Sequence, residues 1–408
     1  MKIQIFSLVL TTCLFAIAPA QAAVWQDTEV WNADWEQAYS DWVNDSFNEE
    51  IFITGAYKNI PTDCADAVYA ARIIFAYENK LPFVIKDSTG GSGRVTNKMS
   101  RFDGSSDSIS KVRKFIEYVG DVTSTKTLPN DSFPVVVDRE HVRPGTLWSR
   151  PRITRDNIWR RIIGGGVQED PGHAELVKEV SDTGAVYLIG STVPKEIRKL
   201  NTTSSLVFMP IETSTGFRNW MQPSYYGMAE TSLPGYSLEQ FNEIGKTGVG
   251  RRKLSRWTAD VQERLALREE TKGENIIRQV ENLCKLVNAR VDIVQKGIQH
   301  SQKLGGACMD AGDYDSYSTP SRDKRIKTTL KQLTKTAGGV GLTGPQRAAK
   351  LKPHLDQCPN IQISATQTLS LYDFSIALLK GDVSSDPNDP FGARWGLEPS
   401  TSKCPKYE

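Results

Sequence analysis

Between Cys64 and Asn79 the apolar positions cover nearly the whole circumference of a helix: Cys-Ala-Asp-Ala-Val-Tyr-Ala-Ala-Arg-Ile-Ile-Phe-Ala-Tyr-Glu-Asn. That pattern predicts a helix buried on most sides, and its alanines are strong helix formers. Asp63 stands where an N-cap belongs, which makes Cys64 the first helical residue. Leu81-Pro82-Phe83 stops the helix. Upstream, Trp35, Ala38 and Trp42 share helical spacing and predict an amphipathic helix over 33–46 that packs on the next element. These tryptophans read as a core stripe in preference to a sugar-binding face.

Short alternating runs then predict strands at Phe133–Val137, Gly145–Trp148, Ala174–Val180, Ala185–Ile189 and Leu206–Met209. Asp182-Thr183-Gly184 reads as a tight hairpin connection. Residues 87–132 are rich in Ser, Gly, Asp and Thr, with one helical run at 108–119, and read as an inserted surface region. Gly90-Gly91-Ser92-Gly93 lacks the Lys-Ser/Thr ending of a phosphate loop and reads as a flexible turn. Residues 212–237 mix Phe217, Trp220, Tyr225, Tyr226 and Tyr236 with turn formers and read as an aromatic loop, presented to a ligand or packed on the domain face.

Gly245 to Gly250 marks a boundary. Beyond it Arg251, Arg252, Lys253 and Arg256 open a helical region, read as a solvated helix start. A long helix is predicted over 258–303, with Ile276, Val280, Leu283, Val287, Val291 and Val294 at three- and four-residue spacing. No internal repeat is seen.

Composition narrows the setting. Lys2, the apolar run Ile3–Ala18 and the small-x-small triplet Ala20-Gln21-Ala22 predict a secretory signal peptide over 1–22. No later stretch is long and apolar enough to span a bilayer, so a periplasmic or secreted protein without an integral membrane segment after processing is expected. Removing 22 residues from 408 leaves 386, long for one core, and two domains are expected. A net charge of +2 gives no support for nucleic-acid binding. No cofactor motif is present. His354 and Cys358 alone have close ligand spacing, which is short of a metal set.

Cysteine usage is the most informative count. With Cys13 in the signal segment, Cys64, Cys284, Cys308, Cys358 and Cys404 remain, an odd number. In an oxidising compartment the last four can pair among themselves, with nearest-neighbour pairing preferred among the three arrangements. Cys64 is then the free thiol, either a nucleophile or a buried inert side chain. A nucleophile needs a base. The histidines are His141, His173, His300 and His354, and His173 alone begins a predicted strand in the first domain. Asp66 and Arg72 read as a buried polar pair supporting the helix.

Three motifs carry a resemblance. Asp63-Cys64 at a helix start, with Val68 and Leu81-Pro82 after it, resembles the cysteine helix of the NlpC-type papain-like peptidases. Arg143-Pro144-Gly145-Thr146-Leu147-Trp148 is similar to their Pro-Gly-Asp turn, with Thr146 in place of the Asp. Gly172-His173-Ala174-Glu175-Leu176-Val177 is similar to their histidine strand and to that of the CHAP amidases. The resemblance covers roughly 60–210. It implies a papain-like domain over 23–245, with a buried cysteine helix on a small antiparallel barrel; together with the mainly helical, disulfide-containing domain over 246–408 that the helical spacing and the last four cysteines predict, the expected fold is α+β. It implies a Cys64 thiolate with a depressed pKa and His173 as base, cleaving peptide or amide bonds, most often in peptidoglycan. The third catalytic position falls on Tyr187, Gly190, Ser191 or Thr192, of which Ser191 can accept a bond from the imidazole; Asp63 supports the nucleophile as cap. Two other readings share these residues. One is a non-catalytic envelope protein that binds or assembles on the same scaffold, with a protein partner met through the helical domain. The other is a transglutaminase-like acyl transferase.

Overall fold

The computed structural model describes residues 23–86, 93–105, 107–151, 153–155, 168–170, 172–204, 206–248, 251–338 and 341–407. The expected signal segment and the Gly90-Gly91-Ser92 turn lie outside these residues. The protein is mixed α+β. Helices α1 (Ala33–Asp45), α2 (Cys64–Glu78) and α3 (Ser108–Val122) precede most of the strands. The strands of three or more residues are β1 (Val84–Lys86), β2 (Arg94–Thr96), β3 (Ser132–Pro134), β4 (Leu147–Arg150), β5 (Ile153–Arg155), β6 (Gln168–Asp170), β7 (His173–Val180), β8 (Val186–Gly190), β9 (Asn201–Thr203) and β10 (Gly216–Trp220). The helical half holds α4 (Glu239–Asn242), α5 (Leu254–Leu265), α6 (Lys272–Lys303), α7 (Ala311–Tyr317), α8 (Pro320–Thr336), α9 (Gly344–Leu355), α10 (Leu371–Lys380) and α11 (Phe391–Arg394).

Six strands form one antiparallel sheet in the order β3-β10-β4-β7-β8-β9. Its end strands, β3 and β9, are not paired to each other among the described residues, so the sheet is open where a barrel was expected. Alternation along the strands sorts side chains onto two faces. Leu147, Ala174, Leu176 and Ile189 pack with Val68, Ala71 and Ile74 of α2. Trp148, Val177, Leu188 and Phe217 face the other way, against Trp257 and Val261 of α5. Trp148 stacks on Phe208 with ring centroids 4.3 Å apart.

Several expectations are corrected. The described residues of the 87–132 segment are not a surface insertion. Its α3 packs on α2, and Val112, Phe115 and Val119 are fully buried. Phe115 is ringed by Trp25, Phe83 and Phe102, with centroids within 5.9 Å. The helical run expected at 108–119 is present as Ser108–Val122, but the polar segments that flank it hid that it belongs to the core. The strand expected at 206–209 lies instead at Asn201–Thr203, while Leu206 and Phe208 fill the core from a loop. The aromatic loop at 212–237 contains strand β10, which sits between β3 and β4.

The long helix predicted over 258–303 breaks between Leu265 and Lys272. Thr271 and Glu274 form a capping box that restarts it as α6. The β7–β8 turn occupies the break: Gly184, at φ +74°, lies so close to α5 that a Cβ there would stand 2.0 Å from the Gln262 carbonyl oxygen. The nearest-neighbour disulfide pairing is also overturned. Cys284 pairs with Cys358 and Cys308 with Cys404. The first joins α6 to the chain just after α9, and the second ties the C-terminal tail to the α6–α7 connection.

The helical half has its own core, in which Leu283, Val287 and Val294 of α6 meet Ile326, Leu330 and Leu333 of α8. It also covers edge strand β9. The Ser204 N–H donates to Asn282 Oδ1 on α6 at 3.0 Å, and Arg325 on α8 reaches Thr203 at 3.3 Å. Covering an edge in this way removes a template for aggregation.

If α3 belongs to the core, Phe115→Ala should cost about 3–5 kcal/mol of stability, as for other large buried aromatics. Urea unfolding checks this; a loss under about 1 kcal/mol would return α3 to the surface.

Candidate functional site

The start of α2 is built as its sequence dictates. Asp63 Oδ1 accepts from the backbone N–H groups of Ala65 and Asp66 at 2.9 and 3.1 Å. Asp66 Oδ2 returns a bond to the Asp63 N–H at 3.0 Å, closing a capping box. Cys64, the free cysteine among the described residues, is the first residue of the helix and is 6% exposed. Its sulfur receives the backbone N–H groups of Ala174 on β7 and Ala65. The expectation was that the helix terminus would depress the thiol pKa. Burial dominates instead and, with the charges of Asp63 and Asp66, pushes the thiol up to about 12 against those two N–H bonds. A group held this way is a thiol at neutral pH.

His173 opens β7 and is partly exposed. Its Nε2 lies 3.1 Å from Glu175 Oε2, and Arg325 Nη2 lies 3.6 Å from the same oxygen. Burial acts to raise the Glu175 pKa, but the His173 ring and the Arg325 guanidinium outweigh it and hold the carboxyl down at about 2. Residues 173 and 175 share one face of the strand by its two-residue period, while Ala174 and Leu176 share the other. The α2 helix packs on the Ala174–Leu176 face. The imidazole therefore points to the side of the sheet that meets α8, and the Cys64 sulfur contacts β7 through the backbone of Ala174.

Ser191 does not orient the imidazole. It is buried, its Oγ donates to the Thr62 carbonyl at 3.0 Å, and it receives the Thr62 hydroxyl at 3.1 Å. It locks the strap leading into Asp63, which also pairs with Glu196 through Thr62. The partner that His173 does have, Glu175, was missed in the sequence. The signal was there: an acid two residues after a histidine in a strand shares its face.

Asp66 and Arg72 do not pair with each other. Arg72 makes a bidentate contact with Glu36 at 2.6 and 3.0 Å and lies 3.4 Å over the Trp31 ring. Asp66 lies 3.4 Å from Lys195 and packs against α3, where a Cβ on Gly120 would sit 2.7 Å from Asp66 Oδ1. Burial, helped by the charge of Asp63, raises its pKa to about 6. Among the described residues no group of His, Cys, Asp and Glu is arranged to hold a metal, and no helix is long and apolar enough to cross a membrane.

Compared with known proteins, the chain matches no family model, no curated protein and no solved structure.

Two measurements follow. Ellman's reagent should titrate less than about a tenth of a thiol per native chain within minutes, and one thiol in denaturant, since thiolate fraction and access both limit the rate. Fast native labelling would contradict the buried geometry. Second, Asp66 is raised above its unfolded value, so the stability it contributes is full below pH about 4 and is lost as pH rises through about 6. Across that window Asp66→Asn should flatten the pH dependence of unfolding by about 1–3 kcal/mol. An unchanged slope in a urea series would contradict it.

Proposed function

We propose that the chain is an exported, non-catalytic envelope protein that binds or assembles on a papain-like scaffold, with α2 serving as its structural centre. The observation that supports this reading is strand parity at β7. The imidazole of His173 turns to the face that carries Glu175 and Arg325, the Cys64 sulfur meets β7 at the backbone N–H of Ala174, and each already has its own partners. General-base activation needs the ring within hydrogen-bond reach of the thiol. Slipping the whole of β7 by one residue to turn His173 to the α2 side would bring Glu175 and Val177 into the apolar layer against α2.

Two disulfides are compatible with an oxidising compartment, and the cover that the helical half gives to β9 suits a protein whose business is contact. The substrate of the hydrolase reading, cell-wall peptide, becomes a ligand in this one.

The test compares wild type with Cys64→Ala on purified peptidoglycan. Neither should release soluble fragments, and both should sediment with the sacculi to the same extent. Release of stem-peptide fragments by wild type alone would restore Cys64 as nucleophile. Incorporation of an added amine by wild type alone would favour acyl transfer. Failure of both proteins to sediment would remove peptidoglycan as the ligand.

A further inference from the structure

Helix α8 carries six cations and one carboxylate, and they divide by face. Ile326, Leu330 and Leu333 turn into the helical core. Asp323 is buried and held by Arg290 Nε at 2.7 Å. Arg322 and Arg325 reach back to the sheet and its connections: Arg322 Nη2 donates to Thr192 Oγ1 at 2.7 Å, and Arg325 meets Thr203 and Glu175. The four lysines remain. At about 100° per residue, Lys324, Lys327, Lys331 and Lys335 fall within about 80° of one another, on the side away from Leu333. From first to last the stripe runs about 17 Å. Lys324, Lys331 and Lys335 are exposed and Lys327 partly so. Among the described residues none of the four has a carboxylate within ion-pair distance.

A merely solvated helix face gains by mixing its charges, because opposite charges three or four residues apart stabilise a helix and like charges destabilise it. Here Lys324–Lys327, Lys327–Lys331 and Lys331–Lys335 are all like pairs at those spacings, and the acid of the helix is turned inward. The chain as a whole does not share this excess, since its formal net charge is +2. The repulsion is local to one face, and an anionic partner on that face would relieve it. The chemistry of the face narrows the partner. No aromatic residue lies in α8, so nothing there stacks on a nucleic-acid base. Both arginines, whose forks hold a phosphate in one fixed geometry, are committed inward. What faces out is a straight, convex line of point charges on flexible stems. Such a line suits a plane of anionic headgroups, which move laterally to meet it.

We propose that α8 docks the protein on an anionic phospholipid surface, with Lys324, Lys327, Lys331 and Lys335 against the headgroups. The contact is peripheral and electrostatic, in a chain where no described helix is long and apolar enough to cross a membrane. The inference stands apart from the role of Cys64, because no residue of α2 or β7 takes part.

The experiment is co-sedimentation of the oxidised chain 23–408, which keeps every described residue, with sucrose-loaded vesicles at low salt. Vesicles of phosphatidylcholine and phosphatidylglycerol in about equal parts should bind it, and vesicles of phosphatidylcholine alone should not. Binding should be lost at about 0.5 M salt, where screening acts within a few Å. A lysine at such a surface contributes roughly fivefold to partition. The combined variant K324Q, K327Q, K331Q and K335Q should therefore bind at least about a hundredfold more weakly, and K331Q with K335Q alone about twentyfold. Removing the same charge from exposed lysines elsewhere, as K58Q, K80Q, K114Q and K126Q, should cost less than about tenfold. The stripe variant should melt no lower than wild type, because like pairs are relieved. Equal losses in the stripe and control variants, binding to the neutral vesicles, or no binding to the anionic ones would overturn the proposal. So would a salt-sensitive self-association without vesicles that the stripe variant abolishes, which would make the partner a second copy. Tighter, stripe-dependent binding to a short DNA duplex than to the vesicles would also overturn it, in favour of nucleic acid.

Discussion

The burial of α2 on all sides is the constraint on which the rest depends. Residues Cys64 through Ala76 are all buried, including Asp66 and Arg72. One side of the helix rests on the sheet and another on α3, while α1 brings Glu36 to Arg72. An element enclosed this fully must satisfy its polar groups within the protein or lose far more than it gains. That need explains the Asp63–Asp66 capping box, the Glu36–Arg72–Trp31 stack and the Lys195 ammonium beside Asp66. It also explains the state of Cys64. The same enclosure that makes the helix a good core raises the free energy of a thiolate there, and a helix terminus contributes too little to reverse it.

Elements whose period alone determines their environment were legible. The α2 helix, the amphipathic α1 and strands β7 and β8 emerge near their expected positions, because apolar spacing and a single N-cap are local signals. What escaped was set by partners distant in sequence. Strand β10 hides in a Gly- and Ser-rich stretch because its pairing with β3 and β4, not its own alternation, makes it a strand. The α3 helix was placed at the surface because its neighbours are polar, although Val112, Phe115, Ile116 and Val119 follow a helical stripe. The break before α6 depends on the β7–β8 turn lodging against α5, and no run of residues near 266 announces it. Disulfide partners were equally out of reach, since pairing follows spatial order and the sequence gives only the positions of the sulfurs.

The candidate site divides in the same way. That Cys64 opens a helix and is the free thiol follows from counting and capping. Which face of the sheet His173 takes depends on one bit of information, the parity of β7, which the hydrophobic pattern does carry. Ala174 and Leu176 are the small and branched residues that fit a helix face, and Val177 belongs with Trp148. Read strictly by alternation, the strand assigns His173 and Glu175 to the side that meets the helical half. A motif of neighbouring residues is indifferent to parity; the packed sheet is not.

The helical half seals the outer edge of the sheet and also supplies the guanidinium that neutralises a carboxylate buried under it. A chain cut near residue 245 would lose both at once. Strand β9 would present bare N–H and C=O groups to its neighbours, and Glu175 would keep only an imidazole for company. The helical half has a core of its own, yet α5 packs under the sheet and Arg325 ties the two halves by charge. Exchanging either one for a foreign module would demand a replacement for Arg325 before any surface could be matched.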